Sequence, residues 1–403
     1  MSLIVQKFGG TSVADVECLR NVAKIVTNAK KNGNRVVVVV SAQGETTDDL
    51  EKKALEINEK ASKREMDVLL SSGEQISVSL LAMAIEKLGF SVISLTGWQA
   101  GFKTEPNHCN ARIKKIDTSR LEHEMDLNKI VIVAGFQGID QFGDITTLGR
   151  GGSDTSAVAL AAALHADACE IYTDVDGVYT CDPRIVPEAR KLDEITYDDM
   201  LDLATLGAQV LHNRSVGMAK KYGVELVVRS SLSDAPGTIV REELKVERKL
   251  ISGVAVDKSP ARISLIGLHD IPGIAFKVFN LLGSQGISVD IILQSVGRDG
   301  TKDISFTVDR KNLQDALKVL EANLSKLTAE RIEHEENIAK VSVVGAGMMT
   351  DPGVAAKMFE ALFNADINIK MIATSEIRIT VIIDEINADA AARAVHNAFL
   401  PED

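Results

Sequence analysis

The stretch Leu3-Ile-Val-Gln-Lys-Phe-Gly-Gly-Thr-Ser12 is a short apolar segment that ends in a glycine pair. An apolar run that stops at two glycines is typical of a buried strand followed by a tight turn. Val16–Lys31 then places apolar side chains at helical spacing, and Val36–Val40 is an uninterrupted β-branched run typical of a strand buried on both faces. These segments predict the start of an α/β fold with a mostly parallel sheet.

The same alternation continues along the first half of the chain. Further strands are predicted at Ser91–Leu95, Ile130–Ala134, Glu170–Thr173 and Leu226–Arg229, and helices at Asp48–Lys60, Ile76–Leu88, Ser153–His165 and His212–Tyr222. Alternating strands and helices predict a sheet covered by helices on both faces. Sheets of this kind bind ligands outside the carboxyl ends of their strands.

The composition limits the classes of protein to consider. The chain has 403 residues, 45% of them hydrophobic and 25% charged, which predicts a globular protein of about two to three domains. The formal net charge of −12 disfavours nucleic acid and anionic membrane surfaces as partners, because both repel an acidic protein. The longest apolar runs are far short of the ~20 residues that a membrane-spanning helix needs, and the N-terminus lacks the regions of a signal peptide.

Cysteines and histidines are scattered and form no metal-binding spacing. Cys18, Cys109, Cys169 and Cys181 are irregularly spaced and include no CxxC pair, which favours a reducing, cytoplasmic location. The seven histidines are equally dispersed, so we expect no zinc site.

Polar and glycine residues follow several predicted strands. Lys7 and the glycine pair end the first strand, Ser41–Asp48 follows the second, Gly135-Phe136 follows another and Thr173-Asp174 follows the next. Because the carboxyl ends of parallel strands meet at one edge of the sheet, these residues predict a ligand site there.

The segment Thr146-Thr-Leu-Gly-Arg-Gly-Gly-Ser-Asp-Thr-Ser156 is the most informative part of this set. Its glycines allow close backbone approach, and the amides of a helix that starts near Ser153 attract an anion. Arg150 within the loop also requires an anionic partner. Neither GxxxxGK[ST] nor a GxGxxG after a strand occurs, which excludes the usual P-loop and dinucleotide fingerprints.

Four motifs together resemble the aspartate kinases of the amino-acid-kinase family. They are Lys7-Phe-Gly-Gly-Thr-Ser12, Ser71-Ser-Gly-Glu-Gln75, Thr147-Leu-Gly-Arg-Gly-Gly-Ser-Asp154 and Thr173-Asp-Val-Asp-Gly-Val-Tyr-Thr-Cys-Asp-Pro-Arg184, and the resemblance covers the whole chain in order. It implies transfer of a phosphoryl group from ATP, with Mg²⁺, to the side-chain carboxylate of L-aspartate. The resemblance implies that formation of this product, 4-phospho-L-aspartate, is the entry step to lysine, threonine and methionine.

The chemistry is compatible with these residues. An aspartate side chain, with an unperturbed pKa of ~3.9, is already a nucleophile at neutral pH. No general base is needed, and catalysis depends on positioning and on cations that offset the negative charge.

The resemblance also implies roles for single residues. Catalysis would use Lys7 and Asp154; substrate binding would use Ser41, Thr47, Glu74, Arg150 and Ser153; ATP binding would use Lys7, Gly9, Gly10, Ser12, Thr173, Asp174, Tyr179 and Arg184. The metal would enter with ATP. Gln209 is a departure, because some members of the family carry a lysine near the nucleotide at that position.

Two other functions stay open at this point. One is a kinase for glutamate, acetylglutamate or a nucleotide, although an acetylated substrate has no ammonium for Glu74 to hold. The other is an amino-acid sensor with an inactive kinase half, which intact Lys7, Arg150 and Asp154 disfavour.

The second half of the chain contains a repeat of about 80 residues. Arg262-Ile-Ser-Leu-Ile-Gly267 matches Lys340-Val-Ser-Val-Val-Gly345, and Asp270-Ile-Pro-Gly273 matches Thr350-Asp-Pro-Gly353. Each copy predicts strand, helix, strand, strand, helix, with Pro272 or Pro352 at the first helical position. The pattern resembles tandem ferredoxin-like ACT modules, the amino-acid sensors that follow the catalytic domain in aspartate kinases.

The predicted organisation is a catalytic domain over residues 1–245, a first ACT module over 246–335 and a second over 336–403. The expected effector is lysine, threonine or both. Helix starts and strand ends predict its contacts: Asp270, Gly273, Ala275, Gln294, Asn368, Ile369, Thr374, Ser375 and Glu376. ACT modules generally pair, so we expect a homo-oligomer or pairing with a shorter regulatory subunit.

Overall fold

A computed structural model describes residues 1–208, 210–244, 251–295, 300–345, 351 and 353–401. Gln209, where the sequence departs from the lysine of some family members, lies outside the described residues. The chain divides into two compact units. The first comprises Met1–Tyr179 and Lys191–Arg248, and the second comprises Thr180–Arg190 and Lys249–Asp403.

The first unit alternates strands and helices from its first residues. Its strands are β1 Leu3–Phe8, β2 Arg35–Val40, β3 Val92–Leu95, β4 Phe102–Thr104, β5 Ile113–Ile116, β6 Ile130–Ala134, β7 Gln137–Ile139, β8 Ile145–Thr147, β9 Ala168–Thr173, β10 Glu194–Thr196, β11 Leu226–Ser230 and β12 Thr238–Arg241. Its helices are α1 Val16–Lys31, α2 Thr46–Ile57, α3 Lys63–Lys87, α4 Ser119–Asp126, α5 Gly152–Ala163, α6 Tyr197–Thr205 and α7 Asn213–Tyr222.

Eight strands of the first unit form one sheet in the order β10-β12-β11-β9-β1-β2-β6-β3. Their pairings are parallel except for β11 with β12. Val36–Val40 is fully buried at the centre of this sheet, as a continuous β-branched run predicts. The predicted α/β class with a mostly parallel sheet is therefore confirmed.

Helices cover both faces of the large sheet. On one face α1 packs against α3, and on the other α5 packs on β1, β2 and β9 and against α7. α3 is long and apolar enough to span a membrane by length and composition alone. It is nevertheless a core helix of this unit, because it packs on β3 and β6 and buries two acidic side chains, Asp67 and Glu74.

A second sheet in the first unit has the order β5-β4-β7-β8. Its strands have three or four residues each, and the sequence did not predict them. It positions the segment that follows β8, which is the glycine-rich segment at Gly149.

The second unit consists of two similar α/β folds, as the sequence repeat predicts. Its strands are β13 Gly253–Asp257, β14 Pro260–His269, β15 Ile292–Gln294, β16 Thr301–Asp309, β17 Arg331–Glu335, β18 Ile338–Val344, β19 Met371–Thr374 and β20 Arg378–Asp384. Its helices are α8 Ile274–Ser284, α9 Leu313–Glu321, α10 Leu324–Leu327, α11 Val354–Asn364 and α12 Ala388–Phe399.

One strand of the second unit, β13, joins the sheet of the later repeat. The first sheet has the order β15-β16-β14-β17 and the second has the order β13-β18-β20-β19. β13 precedes the first repeat but pairs with β18 of the second repeat. The predicted boundaries at residues 245 and 335 stay predictions.

The segment Thr180–Arg190 packs within the second unit. Cys181 and Val186 are buried in the same core as residues of β18, α11 and α12. The Thr180 hydroxyl lies 2.9 Å from Nε2 of buried His396, and Arg190 donates to the carbonyl of Pro401.

Candidate active site

Backbone hydrogen bonds assemble the predicted site at the carboxyl ends of the central strands. The amide of Ser41, after β2, donates to the carbonyl of Phe8 at 3.1 Å. The amide of Gly135, after β6, donates to the carbonyl of Val40, and that of Gly9 donates to the carbonyl of Tyr172. The polar segments predicted at these strand ends therefore lie side by side.

An ion pair lies at the centre of this edge. Lys7 Nζ lies 2.6 Å from Asp154 Oδ1, and the two side chains are 11% and 13% exposed. Lys7 comes from the end of β1, whereas Asp154 lies in the first turn of α5. The structure therefore brings together the two residues that the resemblance assigned to catalysis.

The first glycine turn packs tightly against the turn after β2. A Cβ atom on Gly10 would lie 2.9 Å from the carbonyl oxygen of Ala42 and 3.1 Å from that of Gly44. The Gly44 amide donates to the Gly10 carbonyl at 3.0 Å. This close approach accounts for the glycine at position 10, whereas a Cβ atom on Gly9 would come no closer than 3.5 Å to a neighbour.

The predicted ATP residues within the first unit lie on neighbouring strand ends. The Ser12 hydroxyl lies 2.8 Å from the hydroxyl of Ser231, which follows β11. The Thr173 hydroxyl donates to Asp174, and the Tyr179 hydroxyl donates to Asp176 at 2.7 Å. The hydrogen bond to Asp176 raises the pKa of Tyr179, so its hydroxyl keeps its proton.

The glycine–arginine loop leads into α5. Gly151 caps the helix with φ of 65°, and a Cβ atom there would lie 2.1 Å from the ring of His212. Ser153 is buried next to Gly135, whereas Arg150 is exposed and has no ion-pair partner among the described residues. A free guanidinium at a glycine loop suits a bidentate contact with a carboxylate.

Glu74 is a buried carboxylate at the same edge. Its Oε1 accepts a hydrogen bond from the Ala42 amide at 3.1 Å, while its Oε2 has no partner in the described structure. Burial raises the pKa of Glu74 to about 8, and a cation placed beside it would favour the ionised carboxylate. Ser41 immediately precedes Ala42, and Thr47 lies in the first turn of α2.

Two residues that sequence reasoning missed, Arg214 and His212, hold the glycine–arginine loop. Arg214 donates to the carbonyls of Leu148 and Ala111, both at 2.7 Å, and the ring of His212 packs over Gly151. Burial lowers the pKa of His212, which favours its neutral form. These contacts span more than 60 residues of chain, and no local pattern signals them.

Buried Asp67 of α3 organises the opposite side of the loop. Its carboxylate accepts from the Thr147 hydroxyl at 2.5 Å and from the Cys109 amide, and it lies 2.8 Å from His108 Nδ1. The hairpin segment that carries His108 is thereby fixed beside Gly149.

Arg184 is not brought together with the other predicted ATP residues within one unit. It lies in the segment Thr180–Arg190 of the second unit and forms an ion pair with Asp182 at 2.7 Å. Its predicted role at the nucleotide stays a prediction.

The predicted effector residues lie at helix starts and strand ends of the second unit. Gly273 caps α8 with φ of 85°, and Ala275 follows in the first turn. The prediction of Pro272 at the first helical position is therefore wrong, because Pro272 precedes the cap, and Pro352 lies outside the described residues. Asp270 is paired with Lys302 at 2.8 Å, so its carboxylate already has a cationic partner.

The remaining predicted effector residues lie in the edge strands β15 and β19 or in the segments beside β19. Leu293 and Ala373 immediately precede Gln294 and Thr374, and both pack against one buried cluster of Ile291, Ile338, Met371 and Ile382. Ser375 and Glu376 are exposed after β19, while Asn368 and Ile369 precede it. The edges of the two sheets therefore adjoin through this cluster.

Within the described residues, no three His, Cys, Asp or Glu side chains come together as a metal site. Asp154 and Asp174 are the acidic residues that the resemblance places nearest the phosphates. Both bear oxygen atoms, the ligands that Mg²⁺ prefers.

Comparison with known protein families agrees with this geometry. A profile of the amino acid kinase family matches residues 2–230, and an ACT domain profile matches residues 263–324 and 341–399. The chain therefore belongs to the amino acid kinase family and carries C-terminal ACT domains.

Individual relatives show which kind of amino acid kinase the chain resembles. The chain is 52% identical to the aspartokinase of Bacillus sp. strain MGA3 over 99% of this chain and 97% of the relative, and 50% identical to that of Corynebacterium glutamicum over 99% and 96%. Its fold is similar to crystalline E. coli aspartokinase III in complex with aspartate and ADP, with a TM-score of 0.83, 28% identity and coverage of 99% and 100%. The predicted class, an aspartate kinase, is confirmed.

Replacing Arg214 with lysine tests the loop support. A single ammonium cannot bond both carbonyls with the geometry of a planar guanidinium. We expect the free energy of unfolding to fall by about 1.5–3 kcal/mol, the range for a hydrogen bond to a charged group, in urea denaturation. Arg20→Lys on the exposed surface of α1 is the matched control and should stay within about 0.5 kcal/mol. An equally small change for Arg214→Lys would contradict the assigned role.

Proposed function

We propose that this protein transfers the γ-phosphoryl group of ATP to the side-chain carboxylate of L-aspartate, producing 4-phospho-L-aspartate and ADP. One observation carries the substrate assignment: a buried carboxylate without a cationic partner, Glu74, and an unpaired guanidinium, Arg150, belong to one strand-end site. These are the charges that an α-ammonium and an α-carboxylate require. The names of the relatives and the aspartate and ADP in the E. coli complex support the same assignment.

The main difficulty of this reaction is the repulsion between the substrate carboxylate and the negatively charged polyphosphate. Lys7 would supply a positive charge that offsets this repulsion. Its ammonium would stabilise the oxygens of the transferred group, and the ion pair with Asp154 would hold it there. The amides of Gly9 and Gly10 and the hydroxyl of Ser12 would bind phosphate oxygens. Mg²⁺ would enter bound to ATP and offset the charge of the phosphates.

The substrate would lie between the turn after β2 and the start of α5. Arg150 would bind its α-carboxylate and Glu74 its α-ammonium. The hydroxyls of Ser41, Thr47 and Ser153 would complete the pocket. The bound carboxylate needs no base, since it is ionised at neutral pH.

The most direct test of substrate choice is ADP release measured with L-aspartate, L-glutamate and N-acetyl-L-glutamate. Activity with aspartate and little with the other two is the expected result, because an acetylated amine offers no charge to Glu74. Preference for acetylglutamate would overturn the proposal, and no turnover with any of them would favour an inactive sensor.

Lys7→Ala should lower kcat by about 10²–10³, the loss typical of a missing electrostatic donor. Steady-state kinetics at saturating ATP and aspartate measures it. Lys24→Ala, which removes an exposed lysine of α1, serves as the control and should keep wild-type kcat. A Lys7→Ala enzyme with more than about a third of wild-type kcat would remove Lys7 from the mechanism.

Aspartate binding should release a proton from Glu74. Burial raises the pKa of Glu74 to about 8, so at pH 7 most of the empty protein carries the protonated acid. The arriving ammonium favours the carboxylate. We expect release to approach about one proton at pH 7 and to fall above pH 8, measured by calorimetry in two buffers with different ionisation enthalpies.

Glu74→Gln provides the matched comparison. It should abolish proton release and weaken aspartate binding.

The raised pKa also means that unliganded wild-type protein loses stability as pH rises from about 4.5 to about 8, because the unfolded chain ionises first. The Gln variant should lack this pH-dependent loss of stability. If the variant released as many protons on aspartate binding as the wild type, Glu74 would not be the group that releases the proton.

We further propose that the ACT domains bind lysine, threonine or both and inhibit the kinase. The lysine in the E. coli aspartokinase III complex with lysine and aspartate supports this proposal. Helix starts at Gly273 and Gly353 offer amides to a carboxylate, and Gln294 and Thr374 end adjoining edge strands. Since Asp270 is paired with Lys302, an effector ammonium would have to compete with that lysine.

Gln294→Ala should weaken inhibition by about tenfold, within the usual 5–150-fold range of allosteric coupling. Kinase activity is titrated with lysine and threonine, alone and mixed. Gln285→Ala, at the opposite end of α8 from its capped start, is the control. No inhibition of an active preparation by any combination would leave the second unit as an assembly module.

Cytoplasmic location and assembly into a homo-oligomer, or with a shorter regulatory subunit, are part of the proposal. Two unpaired cysteines, Cys169 and Cys181, are buried and Cys18 and Cys109 are partly exposed, which suits a reducing compartment.

A further inference from the structure

The first glycine turn, residues 9–13, is held by hydrogen bonds from two sides. On the side of the turn after β2, the Gly44 amide and Nε2 of Gln43 donate to backbone carbonyls of the glycine turn at 3.0 and 2.7 Å. On the side of β9 and β11, the hydroxyls of Ser12 and Ser231 lie 2.8 Å apart. The first side adjoins the residues proposed for aspartate, whereas the second adjoins those proposed for ATP.

Ser231 is itself held firmly by its own backbone. It follows β11, and its amide donates to the carbonyl of Thr173, at the end of β9, at 2.9 Å. Its carbonyl accepts a hydrogen bond from Nδ2 of Asn21 in α1 at 2.5 Å. The Ser231 hydroxyl also lies 3.3 Å from the Thr173 carbonyl. Because Ser231 is bonded to two neighbouring elements, it offers the Ser12 side chain a fixed anchor.

This contact joins segments that are 219 residues apart in the chain. The Ser12 amide donates to the Gly9 carbonyl at 3.1 Å, so the position of Ser12 is coupled to that of the glycine pair. The Gly9 amide in turn donates to the carbonyl of Tyr172, the residue before Thr173. The glycine turn and the end of β9, two segments proposed to bind ATP, are therefore connected.

The anchor carries no charge, which suits its place beside a phosphate site. Ser12 and Ser231 are both 4% exposed, and each hydroxyl can donate to or accept from the other. A carboxylate in either position would add to the repulsion that a polyphosphate meets. A buried pair of hydroxyls holds the turn without that repulsion, and each satisfies the other.

We propose that Ser231 is a positioning residue of the ATP site, which holds the first glycine turn against the ends of β9 and β11 through the Ser12 hydroxyl. The inference rests on the proposed kinase function, because it takes this turn as part of the phosphate site. Without the Ser231 hydroxyl, the turn keeps its bonds to Gln43 and Gly44 but loses its side-chain bond on the nucleotide side. Nucleotide affinity should therefore fall, while the aspartate side keeps its geometry.

Binding of MgADP to the full chain, measured by isothermal titration calorimetry, tests the proposal without requiring turnover. Ser231→Ala should raise the Kd for MgADP about five- to tenfold, the factor that one neutral hydrogen bond supplies. Ser231→Thr keeps the hydroxyl and should stay within about threefold of the wild type. The KM for aspartate should change less than about twofold in Ser231→Ala.

Ser264→Ala is the matched control. Ser264 and Ser305 form a hydroxyl pair of the same length, 2.8 Å, in the second unit, and Ser264 is similarly buried. The control therefore removes the same kind of hydrogen bond from a different unit. It should leave the Kd for MgADP unchanged, and the melting temperatures of both variants verify that they fold.

Ser12→Ala removes the same bond from the other side, so it tests the pair even where Ser231→Ala is unstable. It should weaken MgADP at least as much as Ser231→Ala does. The double variant should bind MgADP no more than about twofold more weakly than Ser12→Ala, since residues that act as a unit are not additive.

A folded Ser231→Ala protein with wild-type affinity for MgADP would overturn the proposal. Losses that multiply in the double variant would overturn it too, because Ser231 would then act without Ser12. So would an equal weakening of MgADP and aspartate, which would indicate general loosening of the strand ends. The two failures are distinguishable: the proposed function fails if the wild type does not phosphorylate aspartate, whereas this inference fails on MgADP affinity alone.

Discussion

The site depends on the ion pair between Lys7 and Asp154. Each charge loses most of its water at this position, and each would be costly to bury without the other. The pair requires that β1 end beside the first turn of α5, which in turn requires the central position of β1 between β2 and β9. The order of strands in the large sheet therefore determines where this ion pair forms.

Close backbone approach is the second requirement of this edge. The turn at Gly10 packs on the turn after β2, and the loop at Gly151 packs under the ring of His212. Any Cβ atom at either glycine would collide with its neighbour. Arg214 then ties the loop to the adjoining hairpin through two carbonyls. Packing and hydrogen bonds therefore hold the backbone of the loop in place. This fixed backbone determines where Arg150 begins.

Much of the architecture could be predicted because its signals are local. The β-branched run Val36–Val40 identifies a fully buried central strand, and the repeat in the second half identifies two equivalent folds. The start of α3 was predicted too late, at Ile76, whereas the helix begins at Lys63. Its first half buries Asp67, Ser71 and Glu74, so its inward face is polar and lacks the apolar period on which the prediction relied.

Other features depend on contacts between distant residues, which a single sequence does not reveal. β13 pairs with the sheet of the second repeat although it precedes the first. Arg184 adjoins Tyr179 and Asp174 in its motif, but its segment packs in the second unit. Lys7, Asp154 and Glu74 were predicted from motifs, while Arg214 and Asp67 were not, because their roles arise only when β8, α3 and α7 meet.

A double-mutant cycle of kcat over Lys7→Ala, Asp154→Asn and the double variant tests the central claim most directly. If Asp154 acts by holding Lys7, the double variant should be no slower than Lys7→Ala by more than about threefold, since residues that act as a unit are not additive. Losses that multiply would contradict the account, because they would show that the two residues stabilise the transition state independently.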